Sequence, residues 1–526
     1  MILSKNNLKN ITAPGIQKPG DDIFSLPEKV LQFGTGVLLR GLPDYFIDSA
    51  NRQGIFNGRI VVVKSTDSGD AGAFDQQDGL YTLCIRGIDG GKKIGENIIC
   101  SAISRVLSAK AQWREILQFA HKPEMQIIIS NTTEVGIQLV EEMIHVDGAN
   151  GGVHSREEDA NVGKIGTGAG LPPVSFPGKL LAFLFERYTA FGGSADAGMV
   201  IVPTELIPDN GKKLAGIVEA LARFNQLDAG FSEWLSAHCH FCSSLVDRIV
   251  PGKPDAATLQ QLQQDLGYTD GLLSISEVYR LWAIEGNEKV QSVLSFAAAD
   301  PGVVIRPDIG IFRELKLRLL NGTHTLSCGL AFLAGFGTVK KAMDNDAFGR
   351  FVADLMLKEI APAIPYDVPV GEAQDFGLRV LDRFRNPHIQ HQWISITMQY
   401  SSKMRMRNVP VLLEHYTKHA VPPRLFSLGF AAYLLFMRPV RQDTGGYRGE
   451  LRGQSYPIND DKAGYYFDCW KDRTPDEVVD IVLKDTSLWG TDLSVLSGFA
   501  DAVRENLDAL IHQGPAAVLA MRVKNN

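Results

Sequence analysis

Residues 29–41 read KVLQFGTGVLLRG, and they decide the first half of the fold. Lys29 to Phe33 is a short strand-type run that leads straight into Gly34 and Gly36, one residue apart. Glycines closely following a strand let backbone amides approach a pyrophosphate at the N-terminus of the next helix, which is how a dinucleotide fingerprint begins. The third glycine of that fingerprint is absent, because Leu39 stands in its place. Phe33, Gly34 and Gly36 are therefore candidate cofactor contacts, and Arg40 is either a phosphate ligand or half of a surface ion pair.

Working outward, residues 42–50 have helical spacing and residues 58–63 (GRIVVV) read as a buried strand, so the order is strand, helix, strand. That second strand ends in Lys64-Ser-Thr-Asp67. An acidic residue near such a point holds the ribose hydroxyls of NAD, which makes Asp67 the candidate, while Lys64 leaves room for a 2′-phosphate. Residues 125–130 (MQIIIS) form another apolar strand and stop at Asn131-Thr132-Thr133-Glu134. Ligands of open α/β sheets sit beyond the strand C-terminal ends, so Asn131, Thr132 and Glu134 are candidates for the nicotinamide-ribose side, with a helix cap as the other reading. Residues 199–202 repeat the pattern and end in Pro203-Thr204-Glu205, with Asn210 beyond. Glu205 and Asn210 are candidates to meet cofactor or substrate, and Asn210 equally reads as the cap of a helix over residues 212–224. Asp247 and Arg248 read as a brace at a fold corner.

Past a boundary near residues 301–308, strand alternation becomes sparse and helical patterns dominate. The expected organisation is α/β: a Rossmann-like dinucleotide-binding domain over residues 1–305, with an N-terminal arm, followed by a mostly α-helical substrate domain over 306–526. Residues 313–324 (RELKLRLLNGTH) carry the chemistry of the second half. With the leucines facing a core, the segment leaves Lys316, Asn321 and His324. On an α-helix, Lys316 and His324 would lie about 80° apart around the axis at ~100° per residue. An amine, an amide and an imidazole on one side suit a carbonyl or an alcohol. Lys403, Arg405 and Arg407 alternate, which gathers them on one side of an extended chain and spreads them on a helix. A small substrate bearing a carboxylate accounts for such a basic concentration in an acidic chain.

The chain has 526 residues, 45% of them hydrophobic and 21% charged, with a formal net charge of -7. That is enough for two or three cores of a soluble protein, and the charge argues against a nucleic-acid partner. No apolar run reaches membrane length and no secretory signal opens the sequence, so no membrane partner and a cytoplasmic location are expected. The six cysteines are scattered; the cluster His238-Cys239-His240-Phe241-Cys242 has no second half to complete a metal site, and no metal is expected. Residues 147–170 and 438–463 read as long loops. The oligomeric state is not readable.

Phe33-Gly-Thr-Gly with Arg40, Gln77-Asp-Gly-Leu-Tyr-Thr82, Ser130-Asn-Thr-Thr-Glu134, Val246-Asp-Arg-Ile249 and Lys316-x4-Asn321-x2-His324 together resemble the polyol-specific long-chain dehydrogenases, the mannitol dehydrogenase family. Within it, residues 131–136, 203–211 and 383–391 look like the tagaturonate-reducing branch. The resemblance implies a Rossmann-like domain, a helical second domain, NAD, no catalytic metal, and reversible reduction of D-tagaturonate to D-altronate. It also implies Lys316 as general acid/base, with Asn321 and His324 orienting the substrate oxygen. For an acidic sugar, Lys403 and Arg405, helped by Arg407 or His391, are expected to hold the carboxylate. Leu206 stands where mannitol-oxidising members carry an Asn, which fits the uronate branch. Fructuronate reduction, neutral-polyol oxidation and a non-catalytic nucleotide sensor are the alternatives.

Overall fold

The computed structural model describes residues 1–65, 71–132, 136–144 and 171–524. The chain divides into two compact units, Met1–Arg86 with Ile94–Ile309, and Gly87–Lys93 with Gly310–Asn526.

The first unit is built on six strands: β1 (Glu28–Phe33), β2 (Arg59–Lys64), β3 (Ile103–Ser108), β4 (Ile127–Ser130), β5 (Val200–Pro203) and β6 (His240–Phe241). They pair in the order β3-β2-β1-β4-β5-β6, every pair parallel. A parallel sheet is covered on both faces, which is why these strands read as continuous apolar runs instead of alternating ones. Val30, Ile60, Val62, Ile127, Ile129, Val200 and Val202 pack on one side. Leu31, Phe33, Val61, Val63, Ile128 and Ile201 pack on the other, against the Phe176–Ala190 and Asn210–Phe224 helices. Burying each such side chain contributes roughly 1.5–3 kcal/mol. The strand order reverses between β1 and β4, which pair Phe33 with Ser130. The glycine turn after β1 and the Asn131 corner after β4 therefore sit side by side, at the switch point where ligands of such sheets bind.

The N-terminal arm is packed down, with a small core of its own. In it Leu3, Leu8 and Ile11 are buried with Leu80, Ile99 and Tyr268. Ile16–Gln17 adds a parallel strand, pairing with Asn97 and Ile98 of the Lys92–Cys100 strand. The corner at Asp247 and Arg248 is the brace expected of it: Arg248 donates to the carbonyls of Gly41 (2.6 Å) and Glu277 (3.0 Å) and lies over the Tyr45 ring.

The second unit is helical around Arg424–Phe436, a helix apolar on all sides and buried along most of its length. It packs on Thr323–Leu333 and Phe499–Gln513. Gly429 permits that approach, since a Cβ there would fall 2.7 Å from the Leu326 carbonyl oxygen. Residues 438–463, which read as a loop, contain a three-stranded antiparallel sheet, Arg441–Asp443, Gly446–Leu451 and Gln454–Pro457. The loop over 147–170 lies outside the described residues. Three stretches of this unit, Lys316–Gly322, Leu355–Ile360 and Met404–Asn408, take the wider π-helical turn. Among the described residues, no helix is long and apolar enough to cross a membrane.

Candidate active site

In the first unit, the turn after β1 is shaped by Gly34. Its φ is 127°, its N–H donates to the Val63 carbonyl (3.1 Å), and a Cβ on it would meet the Asn131 carbonyl oxygen and Leu39 Cδ1 at 3.0 Å. Only glycine fits such a position without strain. Gly36, by contrast, faces open space, with nothing within 4 Å of where its Cβ would be. A glycine bordering open space beside the strand ends is the surface a pyrophosphate needs, and Gly34, Gly36 and Asn131 fit a dinucleotide there, whereas Phe33 is buried against Phe176 with its carbonyl accepting from Asn131 N (3.1 Å) and is a core residue.

Other residues expected at this end are engaged by the protein itself. Arg40 is turned inward: its guanidinium donates to the Leu272 carbonyl and lies over the rings of Phe74 and Tyr81. The expected phosphate ligand is thus a core brace, because the Val37–Gly41 turn buries its last residues. Glu205 is buried and accepts from Ser130 Oγ (3.1 Å), Thr132 N (2.8 Å) and Thr132 Oγ1 (3.0 Å), so it fixes the corner after β4. Asn131 donates to Thr204 Oγ1 at 2.9 Å. Asn210 is fully buried; its Nδ2 donates to the carbonyls of Pro203, Glu205 and Ser244, and its Oδ1 accepts from Gly211 N and Ser244 N. With both ends of its amide engaged by backbone, Asn210 joins neighbouring strand ends and is neither a substrate ligand nor a helix cap. Leu206 is two-thirds exposed. Asp67 and Glu134 lie outside the described residues.

In the second unit, His391 and Arg407 are brought beside His324. The π turn of Lys316–Gly322 runs without a break into the Thr323–Leu333 helix. Its i→i+5 bonding turns each residue through less than the α-helical angle. The α-helical estimate of the Lys316–His324 relation is replaced accordingly. Lys316 and Asn321 are half-buried, while His324 is buried. The His324 ring stacks on Phe384, with centroids 4.0 Å apart, and meets His391 and Trp393 edge-on at 5.4 and 5.9 Å. Its Nε2 is buried with no hydrogen-bond partner among the described residues. Burial first, then the neighbouring charges of His391, Arg383 and Arg407, push its pKa well below the usual imidazole value. A neutral imidazole with an unsatisfied nitrogen is suited to hold a ligand oxygen.

Lys403 and Arg407 sit close enough that Arg407 lowers the lysine's pKa, after burial itself. Lys403 Nζ donates to the Ile396 carbonyl (3.1 Å) and Arg407 Nη1 to Thr325 Oγ1 (3.1 Å). Burial also pulls the Arg407 and His391 pKa values down, the latter with help from Lys403. Arg405 is separated from them, because the segment is helical and not extended: it is exposed and donates to the Ser487 carbonyl. Sequence reasoning missed Arg383, Phe384 and Asn408 as neighbours of this site. Arg383 and Phe384 open the 383–391 motif, whose residue types were the available signal. Asn408 had none beyond its place after the basic run.

Cys239 and Cys242 are buried, and burial pushes both thiols up to about 12, which makes them core residues. Among the described residues, no group of three or more His, Cys, Asp or Glu side chains is placed to hold a metal ion.

A parallel six-stranded sheet of Rossmann order and a helical unit carrying Lys316, Asn321 and His324 form the two-unit plan of a dehydrogenase family. Residues 28–296 match the Mannitol dehydrogenase Rossmann domain and residues 308–511 the Mannitol dehydrogenase C-terminal domain. The chain belongs to the mannitol dehydrogenase family, the NAD-dependent polyol and hexuronate oxidoreductases that act on CH–OH groups. Its relatives include altronate oxidoreductase of Pectobacterium carotovorum subsp. carotovorum (strain PC1), 37% identical over 506 residues, covering 94% of this chain and 96% of that one. The altronate oxidoreductase of Halalkalibacterium halodurans is 34% identical over 498 residues, 93% of this chain and 92% of the relative. The fold is shared with mannitol 2-dehydrogenase of Pseudomonas fluorescens, solved with NAD and D-mannitol (TM-score 0.61, 22% identity, all of both chains). It is shared too with substrate-free D-sorbitol dehydrogenase (TM-score 0.70, 20% identity, 99% of this chain and 100% of that one).

Proposed function

We propose that the chain interconverts D-tagaturonate and D-altronate with NADH and NAD⁺. The observation that carries the choice of an acidic sugar is the pair of cations Lys403 and Arg407, with Lys403 beside His391 and Arg407 beside His324. Burial disfavours charge on Lys403, Arg407 and His391, with repulsion from Arg407 added at Lys403 and from Lys403 added at His391, and a bound carboxylate relieves both. The 37% identity to an altronate oxidoreductase along 94% of the chain supports the same choice.

Gly34, Gly36 and Asn131 would hold the dinucleotide, which when bound supplies the hydride for the ketone carbon. In the reductive direction the Lys316 ammonium gives a proton to the oxygen that becomes the hydroxyl, and in the oxidative direction its amine takes that proton back. Asn321 and the neutral His324 donate hydrogen bonds to the same oxygen and fix its position. Lys403 and Arg407 hold the carboxylate end of the sugar; Arg405, on another face of its helix, does not.

The test is NADH oxidation by purified protein with D-tagaturonate, D-fructuronate and D-fructose in parallel, and with NADPH for the best of them. A kcat/KM highest for tagaturonate supports the reading. Preference for fructuronate moves the substrate to its stereoisomer, and turnover of fructose alone removes the carboxylate-binding role. Lys316→Ala is expected to abolish most turnover while leaving NADH affinity intact; loss of both makes Lys316 structural.

A further inference from the structure

One arginine makes two of the bonds that fasten the π-helical segments of the site to each other. Arg318 lies within Lys316–Gly322, its side chain only 8% exposed. Its Nη1 donates to the carbonyls of Met406 (2.6 Å) and Arg407 (2.9 Å), both in Met404–Asn408. Its Nε donates to Glu314 one turn back (2.9 Å), which fixes the direction of the guanidinium.

The sequence accounts for the need that Arg318 meets. In an α-helix the Met406 carbonyl would accept from residue 410, and residue 410 is proline, which has no N–H. Pro410 thus removes the α-helical donor to the Met406 carbonyl, and the Arg318 guanidinium supplies one from the other segment. One further bond joins the segments directly and another reaches across through Thr325 of the Thr323–Leu333 helix. Asn408 Nδ2 donates to the Gly322 carbonyl at 3.0 Å, an approach that leaves 3.2 Å between that nitrogen and a Cβ built on Gly322. Arg407 reaches Thr325 Oγ1, which in turn donates to the Asn321 carbonyl (2.8 Å). The segment carrying Lys316 and Asn321 is thus tied at three points to the segment carrying Lys403 and Arg407.

We propose that Arg318 is a positioning residue for the reaction: by bonding Met406 and Arg407 it sets the spacing between the proton-handling Lys316 and Asn321 and the carboxylate-holding Lys403 and Arg407. This rests on the roles proposed above. Arg318 touches no substrate; it fixes how long a sugar acid must be to place its carbonyl at Lys316 while its carboxylate is held at Lys403. A misplacement of about 1 Å costs on the order of 100-fold in rate.

The test uses the full chain with Arg318→Met, Arg318→Lys and Asn408→Leu, measuring kcat and KM for the best sugar acid and for fructose, NADH affinity by fluorescence, and Tm. Arg318→Met is expected to lower kcat for the acid about 10- to 100-fold and to narrow the preference for acid over fructose, with NADH affinity unchanged. Arg318→Lys, able to reach a carbonyl but not Glu314 at once, is expected to recover part of that loss. Asn408→Leu, which breaks a different tie, is expected to shift the acid-to-fructose ratio in the same direction, so the inference stands even where Arg318→Met folds poorly. A fall in Tm with kcat, KM and the ratio within twofold of the parent in the variants that fold makes Arg318 a structural brace and overturns the proposal. A parent enzyme that turns over fructose but no sugar acid removes the carboxylate roles instead; the spacing role is then read on kcat for fructose, where an unchanged value in all three variants overturns it independently.

Discussion

Replacing Lys403 by methionine removes a charge while keeping most of the side chain's length. In the protein without substrate, Lys403 donates a hydrogen bond to the Ile396 carbonyl at 3.1 Å, and its charge is disfavoured first by burial and then by Arg407. Stability should therefore change little, because the lost bond, worth about 0.5–1.5 kcal/mol, is offset by relief of desolvation and repulsion. The complex with a sugar acid is another matter. A hydrogen bond to a charged group contributes roughly 1.5–3 kcal/mol, and at about 1.4 kcal/mol per factor of ten its loss lowers kcat/KM about 10- to 150-fold. The assay pairs steady-state NADH oxidation on tagaturonate and on fructose with thermal unfolding of both proteins. The expected signature is an unchanged Tm, a large loss on the acid and a small one on the neutral ketose. Equal losses on both sugars, or none on the acid, refute the carboxylate role.

Three other perturbations have defined outcomes. Gly34→Ala places a Cβ 3.0 Å from the Asn131 carbonyl oxygen at a φ of 127°, so isothermal titration should show at least about tenfold weaker NADH binding, with Tm lowered as well. Asp44 is wholly buried with its carboxyl pushed up to about 8 by desolvation, so the folded protein retains a proton that the unfolded chain loses near the ordinary aspartate value of 3.8. Stability from this group is lost as pH rises through that window, and Asp44→Asn should raise the free energy of unfolding at about pH 8, by up to a few kcal/mol, but not at about pH 4. His324 has the opposite sign: its folded pKa lies far below 6.5, so stability is present above that value and falls as the unfolded chain protonates at lower pH. His324→Gln should flatten the denaturation curve between about pH 7 and 5 while removing most turnover.

The first unit was legible because its strands carry their own signal. Val30-Leu31 before Gly34, residues 60–63, 127–130 and 200–203 are short apolar runs that only a sheet buried on both faces accommodates. The polar residues just past each strand end were harder to read. Glu205 and Asn210 stand where a ligand site would want them, yet both are consumed in joining neighbouring strand ends, and nothing in residue type separates the two uses. Arg40 failed similarly, since its partners Leu272 and Tyr81 are far along the chain. In the second unit the Lys316-Asn321-His324 spacing located the site, but not its backbone: π turns arise from tertiary packing and have no period readable in residues 316–322. Helicity at Met404–Asn408 decided between Arg405 and Arg407, and residues 403–407 alone did not.

The N-terminal segment ahead of β1 holds a consequence for how this protein is handled. The family's Rossmann match begins at residue 28, so an expression boundary drawn from alignment would start at Glu28. Such a truncation removes Leu3, Leu8 and Ile11 from over Leu80, Ile99 and Tyr268 and strips the Lys92–Cys100 strand of its parallel neighbour Ile16–Gln17. It exposes an unpaired sheet edge beside an uncovered apolar patch, the combination that invites edge-to-edge aggregation. Insolubility of the shortened protein would then report a boundary placed inside a folded layer, and not an unstable enzyme.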